Sequence, residues 1–457
     1  MSGLTSTALD RWRFATLATI TTVAAVVSSL GAPLVPSIAA AYDVSLSAAQ
    51  WVLTATLVGG AVVTPVLGRW GSGRLRRPVV LGALATVLAG TVMAALPLGL
   101  GALIAGRALQ GVGLGLVPLV LAVARDLWEG RLLASRLGLL SVTTVAGAGL
   151  GYPVTGLVAE LVGVTGAYWF GTSLLGATLL LAARFLPGST EGEPQPVDLV
   201  GVVLLSGGSV SVLLAISQGG AWGWSSARVL GLGVAGTLLV GAWIAWTRRR
   251  LAHGRRPLVD LALAARPGVV GPNTVAFGIG VGMYALLTFA VLVVRADGTA
   301  GFGLDRGVAA AGLVLVPYAL VSVGGSRVAL WVSHRHGPRL LLPIGAAVFA
   351  SSLLSLGLAH DTLWQVLLAM ALGGLGSGFS FSSMAMLIVP HVPHEETGSA
   401  MAFNQLLRYL GFSVGSALSV ALVAAYGGDG AAFRGAALTL AGVCLAVGAL
   451  ALGRRTR

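Results

Sequence analysis

The chain has 457 residues, 56% of them hydrophobic and only 9% charged, with a mean hydropathy of +0.91. An average soluble domain is roughly a quarter charged, so soluble classes are excluded and the chain reads as an all-α polytopic membrane protein. The net charge of +13 comes entirely from arginines that cluster at helix ends, which points to orientation in a bilayer and excludes nucleic acid as a partner.

Taken in order, apolar runs of bilayer length predict fourteen spans. The first six lie approximately at 14–40, 48–67, 78–97, 102–124, 136–160 and 166–186. The N-terminus carries Arg11 and Arg13 before the first run and lacks a small-residue cleavage site, so that run reads as an uncleaved span. A polar linker, 187–196, follows. Spans seven and eight lie near 199–218 and 228–247, before an arginine-rich connection, 248–266. The last six lie near 269–294, 308–332, 339–358, 362–389, 397–425 and 434–453. An even count puts both termini on one side. With that side cytoplasmic, roughly 22 of the 28 arginines fall inside, following the positive-inside rule. Arg107 and Arg408 fall within spans.

Arg107 opens the stretch Arg107-Ala-Leu-Gln-Gly-Val-Gly-Leu-Gly115 inside the fourth span. A central arginine costs about 2.5–3.5 kcal/mol on insertion scales unless it faces a protein interior or a wet cavity. Gln110 shares its helix face, and Gly111 with Gly115 allows close helix approach. The face reads as a cavity wall.

The chain also repeats itself. A basic loop, Gly68-Arg-Trp-Gly-Ser-Gly-Arg-Leu-Arg-Arg77, follows span two, and Ser333-His-Arg-His-Gly-Pro-Arg339 follows span ten. Span five carries Gly147 and Gly151, and span thirteen carries Gly411 and Gly415. With spans seven and eight set aside, these features occupy matching places in two sets of six. Repeated halves around a site are common in secondary transporters.

These features together resemble the major facilitator superfamily, and more narrowly its fourteen-helix drug:proton antiporter branch. Arg107-xx-Gln110-Gly111-x-Gly113 is similar to that family's fourth-helix motif. Gly147-Ala-Gly-Leu-Gly151-Tyr-Pro153-Val-Thr-Gly156 resembles its antiporter motif, with Tyr152 inserted before the proline. Asn404-Gln-Leu-Leu-Arg408-Tyr-Leu-Gly411 resembles the branch signature of the penultimate helix, and Gln50-Trp51 fits the start of span two. Two departures stand out. Ser72 and Leu75 replace an aspartate and a glycine in the loop motif, and Val27 stands where many antiporters carry a first-helix aspartate. The resemblance implies a major facilitator fold of two six-helix bundles, 1–187 and 268–457, with two extra transmembrane helices in 188–267.

Proton coupling needs a carboxylate that loads and unloads. Glu160, near the end of span five, is the first candidate, with Asp43 and Asp198 behind it. Glu160 also reads as a solvated helix-end acid. Arg107 keeps its proton, so it is either a fixed counter-charge whose partner changes or a link to backbone carbonyls. Arg408 either joins the coupling set or, with Asn404 one turn before it, staples two helices. Pro153 beside Gly147 and Gly151 marks either a moving joint or close packing. Arginines of the repeated loops read mostly as orientation charge, with a latch on helix C-terminal carbonyls as the alternative. Tyr152, Tyr284, Tyr318, Phe379, Phe381, Met384 and Asn404 are candidates for a substrate cavity, although singly each reads as core or lipid-facing. His391, His394, Glu395 and Glu396 read as a wet loop rather than a metal site. Cys444 is alone, which excludes an internal disulfide. Without lysine there is no phosphate loop of the usual kind, so ATP hydrolysis is not expected.

The expectation is a monomeric secondary transporter, not an enzyme, in a bacterial cytoplasmic membrane. It uses no cofactor and draws on the proton gradient. Its partners are the bilayer and a hydrophobic small molecule, a drug or antibiotic, with cationic ones allowed and multivalent cations disfavoured. Export of one endogenous metabolite and a non-transporting sensor are the alternatives.

Overall fold

The computed structural model describes residues 6–31, 34–71, 73–188, 197–299 and 301–453. Ser72 and most of the predicted linker, 189–196, lie outside the described residues. Helices account for all the regular structure described. In chain order they are α1 (Ser6–Ser29), α2 (Val35–Ala41), α3 (Leu46–Trp70), α4 (Arg76–Ala95), α5 (Leu100–Gln110), α6 (Leu116–Leu127), α7 (Gly130–Phe185), α8 (Leu199–Trp222) and α9 (Ala227–Ala252). There follow α10 (Leu261–Ala264), α11 (Pro267–Arg295), α12 (Val308–Leu313), α13 (Leu315–His336), α14 (Leu341–Leu358), α15 (Leu363–Ile388), α16 (Thr397–Ala425) and α17 (Gly430–Gly453).

Among the described residues, 12 helical segments are long and apolar enough to cross a membrane, against the fourteen expected. Two places account for the difference. The 24-residue α1, with Asp10, Arg11 and Arg13 near its start, falls outside the twelve. The 56-residue α7 counts once, yet its backbone leaves helical geometry at Gly163, with φ 75° and ψ 178°. A straight helix of that length would run about 84 Å at 1.5 Å per residue, far beyond the roughly 30 Å of hydrocarbon in a bilayer. Positive φ at that point is readily adopted only by glycine.

Two predicted spans are corrected in detail. The first, expected to run unbroken over 14–40, stops at Ser29 and restarts at Val35. Pro36 sits in the first turn of the restart, where its missing N–H removes no helical bond. The fourth is one span but not one α-helix. Gly111–Gly115 tightens into a 3-10 turn between α5 and α6, because glycine holds the α-helix weakly.

The chain forms two compact units. One comprises Met1–Val210, Thr237–Leu261 and Val392–Phe403; the other comprises Ser211–Gly236, Ala262–His391 and Asn404–Arg457. In the first, α1 packs along α7, while α4 lies against α5 and α7 and α3 against α5 and its 3-10 extension. In the second, α15 is central, touching α11, α13 and α14, and α17 closes against α11 and α14. The segment 392–403 follows α15 in the chain but packs with the first unit.

Candidate functional site

On α5 the buried residues are Leu103, Gly106, Arg107 and Gln110, one helical stripe. Arg107 is fully buried. Its Nε donates to the Val52 carbonyl at 3.2 Å, Nη1 to the Val27 carbonyl at 3.0 Å and to Gln110 Oε1 at 2.5 Å, and Nη2 to the Ser28 carbonyl at 2.8 Å. The break in the first span explains two of these partners, Val27 and Ser28. The carbonyls of the last turn of α1 lack their regular helical donors, Val27 O keeping only a tightened turn bond from Leu30 N at 3.2 Å, and they carry the partial negative charge of a helix C-terminus. Arg107 therefore caps α1 from the side. Val27 lacks the carboxylate the family resemblance would place there, and its backbone oxygen takes the guanidinium instead. The Gln110 amide nitrogen is buried without a hydrogen bond. A methyl on Gly111 would overlap the Thr56 carbonyl, and one on Gly115 would sit 2.8 Å from Leu67 Cδ1 and 3.2 Å from Thr64 Cα, so this face packs closely on α3.

The glycine motif on α7 faces α1. A Cβ on Gly147 would lie 2.6 Å from the Thr22 carbonyl oxygen, and one on Gly151 would overlap Ser29 Oγ. Gly156 differs, with open space where its Cβ would stand. Tyr152 and Pro153 are half-buried beside them. Glu160 is exposed, three residues before the break at Gly163, and is not among the partners of Arg107. Asp43 is exposed at a residue with φ 50°. Asp198 is buried and already committed. It accepts from the Gly201 amide at 3.1 Å and from Trp246 Nε1 at 3.0 Å, and pairs with Arg250 at 3.5 Å.

In the second unit, α16 carries the matching constellation. Methyls on Gly411 and Gly415 would overlap the carbonyls of Phe277 and Val281 on α11. Asn404 donates to the Pro272 carbonyl at 3.3 Å and to Asn273 Oδ1 at 3.1 Å, stapling α16 to α11. Arg408 takes no part in that staple. Its Cζ lies 4.4 Å from the centre of the Phe381 ring. Tyr284 and Phe412 stack nearby on α11 and α16, with centroids 4.5 Å apart, and Tyr409 lies tilted against Phe412 at 5.8 Å. Gln405 donates to the Tyr409 hydroxyl. The Tyr318 and Tyr409 hydroxyls are close enough to feel the charge of Arg408. Tyr318 is 2% exposed, its hydroxyl lying beside Ser377 without a hydrogen bond of normal geometry.

Phe379 and Met384 are buried on α15, and Phe379 packs against Gly345 on α14. Sequence reasoning did not single out Gln405, Tyr409 and Phe412 as site residues. The four-residue step from Arg408 to Phe412 on one helix face carried that signal. A separate cavity of about 330 Å³ in the same unit is lined by Ile216, Trp224, Val414, Ala417, Leu418 and Ala421, none of them charged.

Arginines at the ends of α3 and α6 and at the start of α4 form a second network within the first unit. Arg69, 1% exposed, donates to Glu396 at 2.7 Å. Arg76 pairs with Asp126 and donates to the carbonyls of Gly71 and Ala122, and Arg77 donates to the Ala183 carbonyl at 2.7 Å. Arg125 donates to the Val392 and Pro393 carbonyls and to Thr397 Oγ1 at 2.6 Å. His394 lies 3.4 Å from Asp126, and Arg256 donates to Glu395 at 2.8 Å. These arginines thus meet carbonyls and also acids that the sequence did not pair with them. In the second basic loop His334, Arg335, His336 and Arg339 are exposed, with Arg335 resting on Trp331. His391 is also exposed, and among the described residues no group of three donors could hold a metal.

At the start of α1, Asp10 accepts from Trp128 Nε1 at 2.6 Å and from Arg136 at 2.7 Å. Burial alone would raise its carboxyl pKa. These hydrogen bonds and the charges of Arg136 and Arg13 outweigh burial and hold it below the usual carboxylate value.

The chain matches the Major Facilitator Superfamily over residues 17–338 and 274–457. It is 27% identical over 417 residues to an uncharacterized MFS-type transporter, YvkA, of Bacillus subtilis, covering 87% of this chain and 89% of that one. It is 24% identical over 388 residues to the multidrug transporter protein MdtP of the same bacterium, covering 84% of this chain and 70% of that one. Among solved structures it is similar to the proton:xylose symporter XylE, with a TM-score of 0.66 and 17% identity over 98% of this chain and 95% of that one.

Proposed function

The chain belongs to the major facilitator superfamily and is a membrane transporter rather than an enzyme, and from that premise we propose that it exports hydrophobic drugs or antibiotics from a bacterial cytoplasm by alternating access. The observation that carries the reading is the sealed Arg107 constellation, built on the residues that match the superfamily's fourth-helix motif. The likeness to a multidrug transporter over 84% of the chain supports the substrate class. In this reading the chain crosses the membrane fourteen times. Dividing α7 at Gly163 adds one crossing to the twelve, and α1 adds the other. Both termini then lie on the side richest in arginine, the cytoplasm.

The driving force in this proposal is inward proton movement. Of the three acids considered, Asp198 is held by Trp246 and Arg250 and Asp43 lies in a turn, which leaves Glu160, on the long α7 helix, as the coupling carboxylate. The test is efflux of dyes from proteoliposomes under an imposed pH gradient. Efflux that follows the gradient and collapses with an uncoupler is the expected result; efflux indifferent to both removes the proton from the mechanism. Unchanged pH dependence in Glu160→Gln removes Glu160 alone.

A further inference from the structure

The acids described in the second unit, Asp297, Asp305, Asp361 and Asp429, are exposed and sit in connections between helices. No arginine described in that unit is buried except Arg408. Among the described residues the guanidinium of Arg408 has neither a hydrogen bond nor an acid; its contact is the face of Phe381. That geometry matters chemically. A guanidinium held over a ring face makes no hydrogen bond there and keeps its N–H groups for another partner. Their fork matches the paired oxygens of a carboxylate, sulfonate or phosphate. Around it stand ring surfaces, the Tyr284–Phe412 stack, both members partly exposed, and the buried Tyr318 hydroxyl. A cation would find no neutralising carboxylate here.

We propose that the preferred substrates are planar aromatic compounds bearing an acidic group, with Arg408 receiving the acid and Tyr284 and Phe412 the ring system. This rests on the export reading above and replaces its allowance for cationic drugs. Specificity then comes as much from rejecting cations as from holding anions.

The test uses the full chain in nanodiscs and in proteoliposomes, with two dyes of related ring structure and opposite charge, fluorescein and rhodamine 6G. Wild-type protein should bind fluorescein in preference. Arg408→Gln should weaken fluorescein at least tenfold, on the order of a lost charge-assisted hydrogen bond, and leave rhodamine 6G within about twofold. Arg408→Lys keeps the charge without the flat fork and should fall between them. Phe381→Leu, which removes the ring under the guanidinium, should weaken fluorescein by a few-fold. Size-exclusion profiles establish that each variant is folded, and the lysine variant serves if glutamine does not fold. Wild-type preference for rhodamine 6G, binding of neither dye, or fluorescein binding unmoved in both Arg408 variants overturns the proposal. Flux separates the two claims. Gradient-driven efflux with no anion preference contradicts the acidic-substrate proposal and leaves export standing. Selective binding with no efflux of either dye contradicts export and leaves the anion site standing.

Discussion

Arg107 and Arg408 are the two buried arginines of the predicted spans, on the fourth helix of the first set of six and the fifth of the second, each on a helix with packed glycines, and their surroundings differ completely. Arg107 is enclosed and spends its N–H groups on the carbonyls of Val27, Ser28 and Val52 and on Gln110. Arg408 rests on one aromatic face and has no acceptor among the described residues. A buried guanidinium that is fully bonded is a structural part, since moving it breaks several charge-assisted hydrogen bonds at once. One that is buried, charged and unpaired carries an unmet desolvation cost and is positioned to meet an anion. The same residue type therefore does different work in the two halves because of what the neighbouring helix offers. The broken α1 offers the carbonyls of its last turn, and α15 offers a phenyl ring.

The sharpest way to break this comparison is Arg107→Leu. Four hydrogen bonds from a buried guanidinium would be lost, each worth about 1.5–3 kcal/mol for a charged donor, so we expect little folded protein by size exclusion and a large fall in thermal midpoint. A stable Arg107→Leu protein would show that the carbonyl cap is dispensable. The glycine faces should come next. Gly411→Leu and Gly147→Leu each drive a side chain into a neighbouring carbonyl, and overpacking costs about 1–3 kcal/mol or more. Gly156→Ala, with open space around it, should leave the midpoint within about 1 kcal/mol of wild type. Equal losses at Gly147 and Gly156 in the same thermal assay would contradict the packing described for α7.

Glu396→Gln should cost about 1–3 kcal/mol, within the range of the glycine substitutions and without their steric excess, because it removes the carboxylate facing the buried Arg69. The smallest effect belongs to Asp10→Asn, about 0.5 kcal/mol at neutral pH, because Asp10 is 38% exposed and solvent screens its pair with Arg136. Its sign with pH is fixed. The folded carboxyl titrates below the unfolded value of 3.8, so its contribution is present above that value and is lost as pH falls through the folded one. Asp10→Asn and wild type should therefore converge in stability below pH 3.8. A difference that grows on acidification would mean the carboxyl is not held low.

Much of the helical fold was legible because bilayer length is a strong constraint on composition. The polar face of Arg107 and Gln110 and the glycine pairs of α7 and α16 were legible as well, since their spacing alone places them on one helix face. What escaped depends on contacts remote in sequence. Nothing local to Arg69 points to Glu396, 327 residues away. The break after Ser29 is readable only in part, from Pro36, and its consequence, carbonyls turned toward Arg107, needs the third dimension. Asp198 read as a minor coupling candidate at the start of span seven because its partners Trp246 and Arg250 lie a full helix away.

The central claim, that one buried arginine holds the fold and the other meets the substrate, is tested most directly on Arg408→Gln alone. Thermal midpoint and gradient-driven fluorescein efflux would be measured on the same reconstituted sample. We predict a midpoint within a few degrees of wild type, equivalent to less than about 1 kcal/mol, and efflux reduced at least tenfold. A midpoint that collapses as for Arg107→Leu, or efflux at the wild-type rate, would contradict it.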